Sequence, residues 1–219
     1  MPYSSMRKLK KGEQLKFKGM SGHGGARKGA GRPRTSHFIS HVARPTIKRD
    51  TAVHVNLHLS RSLKSLNLRS KEFFALFRHA VKTARLKGLK IVHYSIMHNH
   101  LHLLVEAGSN QELSKGMQSF ALSFNKLVAN RVNARIKHLW QDRYFMRLLL
   151  SPREIKTALT YIIRNPQKKF HRSNMLDWYS SSLALVSDAP SALGQRFALL
   201  ASEILNVPKG YLLRKTLLL

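Results

Sequence analysis

Histidines fall on alternate positions in "MHNHLHLLVEA", residues 97–107: His98, His100 and His102. In a β-strand, side chains two residues apart share a face. His100 and His102 therefore point one way, and Leu101, Leu103 and Val105 point toward a core. Two imidazoles on one strand face are well placed to share a metal ion. The plainer alternative is a pair of half-exposed sheet histidines. Further along, "SPREIKTALTYIIRNP" places Tyr161 and Asn165 four residues apart, one helical turn, on one face. They flank the apolar stripe of Ile155, Ala158, Leu159 and Ile162, at its edge. A phenol there is otherwise a packing residue with a wet hydroxyl, and an Asn before Pro is otherwise a helix terminator.

Three chemistries compete for the histidine row. The first is a three-histidine zinc site that adds His98 and needs an open coordination position. The second is the histidine-triad pattern of nucleotide hydrolases and transferases, which "HNHLHLLV" fits apart from Asn99. The third is the His–apolar–His (HUH) pattern of nucleases that cut single-stranded DNA with a tyrosine, read at His100-Leu101-His102. Two histidines leave a divalent ion under-coordinated, so this reading needs a further ligand and a tyrosine nearby. The helix after residue 151 supplies both residue types.

The elements that must position these residues follow from periodicity. "AVHVNLHL" (52–59) alternates and is a strand; "KEFFALFRHAVKTARLKG" (71–88) has helical spacing and ends at Gly88. "LKIVHYSIM" (89–97) and "HLHLLVEA" (100–107) form two strands joined around His98 and Asn99. A helix is expected over 110–135, capped by Asn110, and a fourth strand over 144–150. In the last helix Ser151 is an N-cap, Pro152 takes the first helical position, and Glu154 completes a capping box. Pro166 is expected to end or bend it. Strand, helix, strand, strand, helix, strand is the split βαβ, ferredoxin-like order of an α+β domain.

Composition bounds the partners. The chain has 219 residues, 39 Lys and Arg against 10 Asp and Glu, and a formal net charge of +29. Such a chain repels itself unless it meets a polyanion, and nucleic acid is the first expectation. With no cysteine there is no disulfide and no thiolate metal site. No apolar run has the length of a membrane span and the N-terminus lacks an apolar signal core, which points to a cytoplasmic, nucleoid-associated protein. Residues 1–48 read as a basic arm with little fixed structure. Within it Arg27-Lys28 and Gly31-Arg32-Pro33-Arg34 resemble an AT-hook, whose extended arginines suit a narrow minor groove. Residues 49–172 read as the catalytic domain and 173–219 as a helical tail.

The pattern becomes specific when two blocks are taken together. "HYSIMHNHLHLLVEA" followed by "WQDRYFMRLLLSPREIKTALTYIIRNP" resembles the REP-associated tyrosine transposases, single-tyrosine HUH enzymes of bacteria, over about residues 50–170. The resemblance implies that His100 and His102, with Asn165 as third ligand, hold Mg²⁺ or Mn²⁺. It implies that Tyr161 attacks a DNA phosphate and forms a 5′-phosphotyrosine link with a free 3′-OH. Its expected partners are single-stranded, hairpin-containing DNA and a second copy of the chain. His98 stands where many relatives carry a small residue or Pro and is not counted as a ligand. Carboxylates are scarce in the domain, which disfavours a two-metal nuclease. Among aromatics and cations, Trp140, Arg143 and Arg164 are expected to meet the DNA, Trp140 by stacking on a base. Phe120 and Phe124 are expected in the core. A non-catalytic nucleic-acid-binding relative is the alternative from another class.

Overall fold

The computed structural model describes residues 43–169, 177–182 and 203–217. Arg27, Lys28, Arg32 and Arg34, and so the AT-hook-like segment, lie outside the described residues. The elements are β1 (Thr51–His58), α1 (Lys71–Arg85), β2 (Lys90–Ile96), β3 (His100–Ala107), α2 (Asn110–Arg131), β4 (Phe145–Leu149), α3 (Pro152–Lys169) and a short α4 (Tyr211–Leu217). The sheet order is β2-β3-β1-β4 with every neighbouring pair antiparallel. This is the ferredoxin-like α+β arrangement expected from the element order.

Strand alternation divides the sheet into two faces with different tasks. On one face Val53, Val55, Leu57, Leu101, Leu103 and Val105 pack under α1 and α2, which contribute Phe77, Val81, Leu113, Phe120, Phe124 and Val128. Each such side chain contributes about 1.5–3 kcal/mol by leaving water. Gly116 lets α2 come close to the start of β2, because a Cβ there would lie 2.9 Å from Leu89 Cβ and 3.0 Å from its backbone nitrogen. On the other face Ala52, Leu104 and Leu149 meet Ile155, Ala158 and Ile162 of α3 and Leu213 of α4. The remainder of this second face is polar and carries His54, Asn56, His58, His100 and His102 on facing register positions of β1 and β3.

Several local devices differ from the sequence reading. Ser109 caps α2: it is extended, and its hydroxyl accepts from the Glu112 N–H. Asn110 is already helical and clamps the preceding segment instead, its Oδ1 accepting from Ile47 N at 2.6 Å and its Nδ2 donating to the Pro45 carbonyl at 3.0 Å. Residues at the end of the basic arm thus pack on the domain: Ile47 is buried, and the Arg44 guanidinium lies 3.6 Å from the centre of the Tyr144 ring. The helix α2 stops at Arg131, before Asn133 enters the left-handed region at φ 49. Pro166 does not terminate α3, which continues to Lys169. A missing proline N–H costs one hydrogen bond but not the packing of Ile155 and Ile162 that holds the helix.

The capping box of α3 is present as expected. Glu154 N donates to Ser151 Oγ at 3.3 Å, and Ser151 N donates back to Glu154 Oε2 at 3.1 Å. Leu150 N adds a second amide donor to the same carboxylate at 2.8 Å, and Arg147 reaches Oε1 at 3.2 Å. These donors, the Leu150 amide first, hold the Glu154 carboxyl below its ordinary pKa. The described parts of the tail, residues 177–182 and 203–217, are tied down as well. Buried Glu106 accepts from the Lys209 and Gly210 amides just before α4. Arg69 forms a two-pronged pair with Asp177 at 2.6 and 3.1 Å, which fixes residues 177–182 along the edge of β2.

Candidate active site

Register brings the polar side chains together. On β1 and β3, Asn56 faces His102 and His58 faces His100; His54 faces Leu104 one step further. On the other flank of β1, Asn56 faces Phe145 and His54 faces Arg147 of β4. The helix α3 then crosses this face with Ile155, Ala158 and Ile162 turned into the apolar half. That orientation leaves Tyr161 and Asn165 at the border with the histidines. Tyr161 is 50% exposed, and its ring stands edge-on to His102 with centroids 5.1 Å apart. Asn165 Nδ2 lies 3.1 Å from His102 Nε2.

His102 is the hub. Its Nε2 is also 3.1 Å from His100 Nε2, while its Nδ1 is 3.3 Å from His54 Nε2. His100 is oriented from its far side by Asn99, whose Oδ1 lies 2.8 Å from His100 Nδ1. His58 stacks on His100 at 4.7 Å between ring centroids. His102 is only 1% exposed. Burial, then the neighbouring His100, His54 and His58, pushes its pKa down to about 3, so the ring is neutral at any ordinary pH. Burial also lowers the pKa of His54, helped by the charge of Arg147, and burial lowers that of His58.

The donor set can be tested for a cation. An amide oxygen only accepts, so Asn99 requires the proton of neutral His100 on Nδ1 and leaves a lone pair on its Nε2. That lone pair faces His102 Nε2, which in turn also faces the Asn165 amide. A proton on His102 Nε2 satisfies His100 but opposes the Asn165 N–H; no proton there sets two lone pairs against each other. Turning the Asn165 amide to present Oδ1 removes the opposition, and the same turn gathers two imidazole nitrogens and one amide oxygen, a donor set that would suit a divalent cation. Separations of 3.1 Å match the edge of an octahedron with metal–ligand bonds of about 2.1 Å, which is about 3.0 Å. Among the described residues no group of three or more His, Asp or Glu side chains is arranged to hold a metal ion; the set here is two imidazoles and one amide. Asn56 Oδ1, in the same row, is buried without a hydrogen-bond partner.

A match to the family model of IS200-like transposases spans residues 52–165, just over half of the chain. The chain belongs to the IS200-like transposase family. Among solved structures, the transposase is similar to a REP-associated tyrosine transposase bound to a REP hairpin. The identity is 19% and the TM-score 0.54, over 71% of this chain and 90% of that one. It also matches a bacterial tRNA(His) guanylyltransferase-like protein in complex with GTP at 8% identity and TM-score 0.41, over 60% of this chain and 70% of that one. No curated protein sequence matches. Among the described residues, no helix of the transposase is long and apolar enough to cross a membrane.

The other expected site residues are dispersed. His98 sits exposed in the β2–β3 turn and lines a groove of about 760 Å³ with Arg61, Lys64, Asn99 and Gln141. The turn takes it out of the strand alternation, and the third imidazole at the hub is His54 instead. Trp140 is half-buried, its ring stacked at 5.6 Å and 24° on Phe124 and packed against the core. Phe120 and Phe124 are buried, as expected. Arg143 is half-buried and Arg164 is exposed on α3, three residues after Tyr161. Sequence reasoning missed His54, Asn56, Asn99 and Arg147. The alternation His54-Asn56-His58 within "AVHVNLHL" was the available signal for the first two. A cavity of about 380 Å³ beside Tyr161 is lined by His54, Arg147, Arg153, Glu154 and Thr157, with Arg147 paired to Glu154 at 3.2 Å and Arg153 a further cation on its wall.

Proposed function

We propose that this transposase family member is a metal-dependent enzyme that cleaves and rejoins single-stranded, hairpin-containing DNA through Tyr161. The observation that carries the reading is the convergence of Asn165 and Tyr161, one turn apart on α3, on the buried His102 of β3. His100, His102 and Asn165 would hold Mg²⁺ or Mn²⁺. When bound, such an ion neutralises developing charge on phosphate oxygens.

The chain's own residues account for the rest. Tyr161 projects from a helix fixed at its start by the Ser151–Glu154 box, so its phenol is carried by a rigid support. Its oxygen attacks phosphorus as the bond to the 3′ oxygen breaks. The phenolic proton leaves to water, which reaches this half-exposed side chain, and the departing oxygen takes a proton to become a 3′-OH. The 5′-phosphotyrosine retains the energy of the broken linkage, so a 3′-OH can reverse the step without ATP. Arg153 and Arg164, with Arg147 paired to Glu154, supply net positive charge around Tyr161 for the DNA backbone. The hairpin-bound neighbour supports this substrate class through its shared fold.

The test is cleavage of labelled hairpin DNA with Mn²⁺ or Mg²⁺, comparing wild type with Tyr161→Phe. A covalent protein–DNA band on a denaturing gel that vanishes in the variant is the expected result. Tight, salt-sensitive hairpin binding without any such band would identify a binding module instead.

A further inference from the structure

We propose that His54 is a positioning residue that holds His102 in its Nδ1–H form and so keeps the Nε2 lone pair directed at the cation. This rests on the metal reading of the site. The two histidines of the pair are held differently. His100 is fixed by Asn99, whose Oδ1 at 2.8 Å can only accept. His102 Nδ1 faces His54 Nε2 at 3.3 Å, a group that accepts or donates according to its own tautomer. The other side of the ring decides. A metal-bound Nε2 carries no proton, so Nδ1 must carry one and needs an acceptor. With His102 buried to 1% exposure, bulk water is a poor substitute. His54 is anchored to supply it, on β1 between β3 and β4, with its ring tilted 30° to that of His102. Its ring also lies 6.2 Å from that of Tyr161 between centroids, at 67°, so the same side chain stands beside both the proposed metal ligand and the proposed nucleophile. A ligand imidazole commonly donates its second N–H to a partner of this kind, and losing that partner typically costs 10–100-fold in metal affinity.

The experiment uses the full chain and Mn²⁺ alone. Free Mn²⁺ is titrated by electron paramagnetic resonance against wild type, His54→Ala and His54→Gln, with melting temperature and hairpin binding as controls for folding. Glutamine offers an acceptor oxygen at similar reach. The expected result is about a 10–100-fold weaker Mn²⁺ affinity in His54→Ala and most of it restored in His54→Gln. Long-range ¹H–¹⁵N correlation spectra of the metal-free wild type, with the His102 signal assigned by its loss in His102→Gln, should show the proton on Nδ1. Equal Mn²⁺ affinity in wild type and His54→Ala overturns the inference and leaves the metal reading standing. An Nε2–H signal for His102 overturns it independently of any metal. A wild type that takes up no Mn²⁺ while His102 is protonated on Nδ1 instead sinks the metal reading and leaves the His54–His102 contact as drawn.

Discussion

Asn165 on α3 reaches His102 on β3 at 3.1 Å, bridging 63 residues of sequence. The contact joins the helix that carries Tyr161 to the histidine strand at the point where the proposed metal would sit. Asn165→Ala should therefore lower Mn²⁺ affinity by at least about tenfold, in line with the loss of an oriented ligand. Asn165→Asp, which offers a harder oxygen and a charge, should bind the ion at least as well as wild type. Calorimetry on the three proteins checks both. Equal affinity in Asn165→Ala would remove this residue from the ligand set.

A second prediction concerns the tail. The Arg69 and Asp177 side chains are only 11% and 10% exposed, and the guanidinium also donates to the Ile96 carbonyl. Removing one partner leaves a buried charge, which typically costs 3–5 kcal/mol. Asp177→Ala should accordingly lose about 3 kcal/mol in urea unfolding. It should also raise amide exchange at Ile96, whose N–H now donates to the Tyr179 carbonyl. A change below about 1 kcal/mol would mean that the pair is solvated in solution.

Acid should weaken the fold through His93. The ring is 6% exposed, its Nδ1 is 3.0 Å from Ser181 Oγ, and burial pushes its pKa down to about 4. An unfolded histidine takes its proton near pH 6.5. Between these values the unfolded state binds more protons, so stability falls as pH drops from about 6.5 to about 4 and levels off on either side. The span corresponds to roughly 3 kcal/mol. His93→Gln should flatten this slope in unfolding curves taken from pH 7.5 to 4.5. It should not abolish it, because His102 is shifted in the same sense.

How far the sequence spoke depends on the scale of the feature. Strand alternation and helical spacing revealed four strands and three helices in their order, because each has an apolar period of its own. The His100–His102 pair and the Tyr161–Asn165 spacing were legible for the same reason: each is local to one element. What stayed hidden is set by register. That His54 lies against His102, and Phe145 across from Asn56, depends on which strands pair and in which phase, and periodicity within a strand carries neither. Asn110 misled because a capping residue and a helical residue with a long-range partner look alike in sequence. Here Ser109 lies one position earlier and takes the cap.

Two aromatics on opposite sides of the sheet give the last prediction. Trp140 stacks on Phe124 and lies 6.3 Å from the Phe120 ring, while Phe145 is 48% exposed on the histidine face of edge strand β4. Phe145 opposes Asn56, which opposes His102 in turn, so it stands on the same sheet face as the histidines and offers an exposed ring to an unpaired base there. Base–aromatic stacking contributes about 1–3 kcal/mol per base. Phe145→Ala should weaken binding of a labelled single strand by about 5- to 150-fold and leave the melting temperature nearly unchanged, since an exposed ring stabilises the fold little. Trp140→Ala should do the reverse. Emptying a core contact of that size costs about 3 kcal/mol, and affinity measured well below the melting point should stay close to wild type. Anisotropy titrations and thermal melts on both variants decide it. If Trp140→Ala were the one that lost affinity at full stability, the base-stacking surface would lie on the side of the sheet away from the histidines.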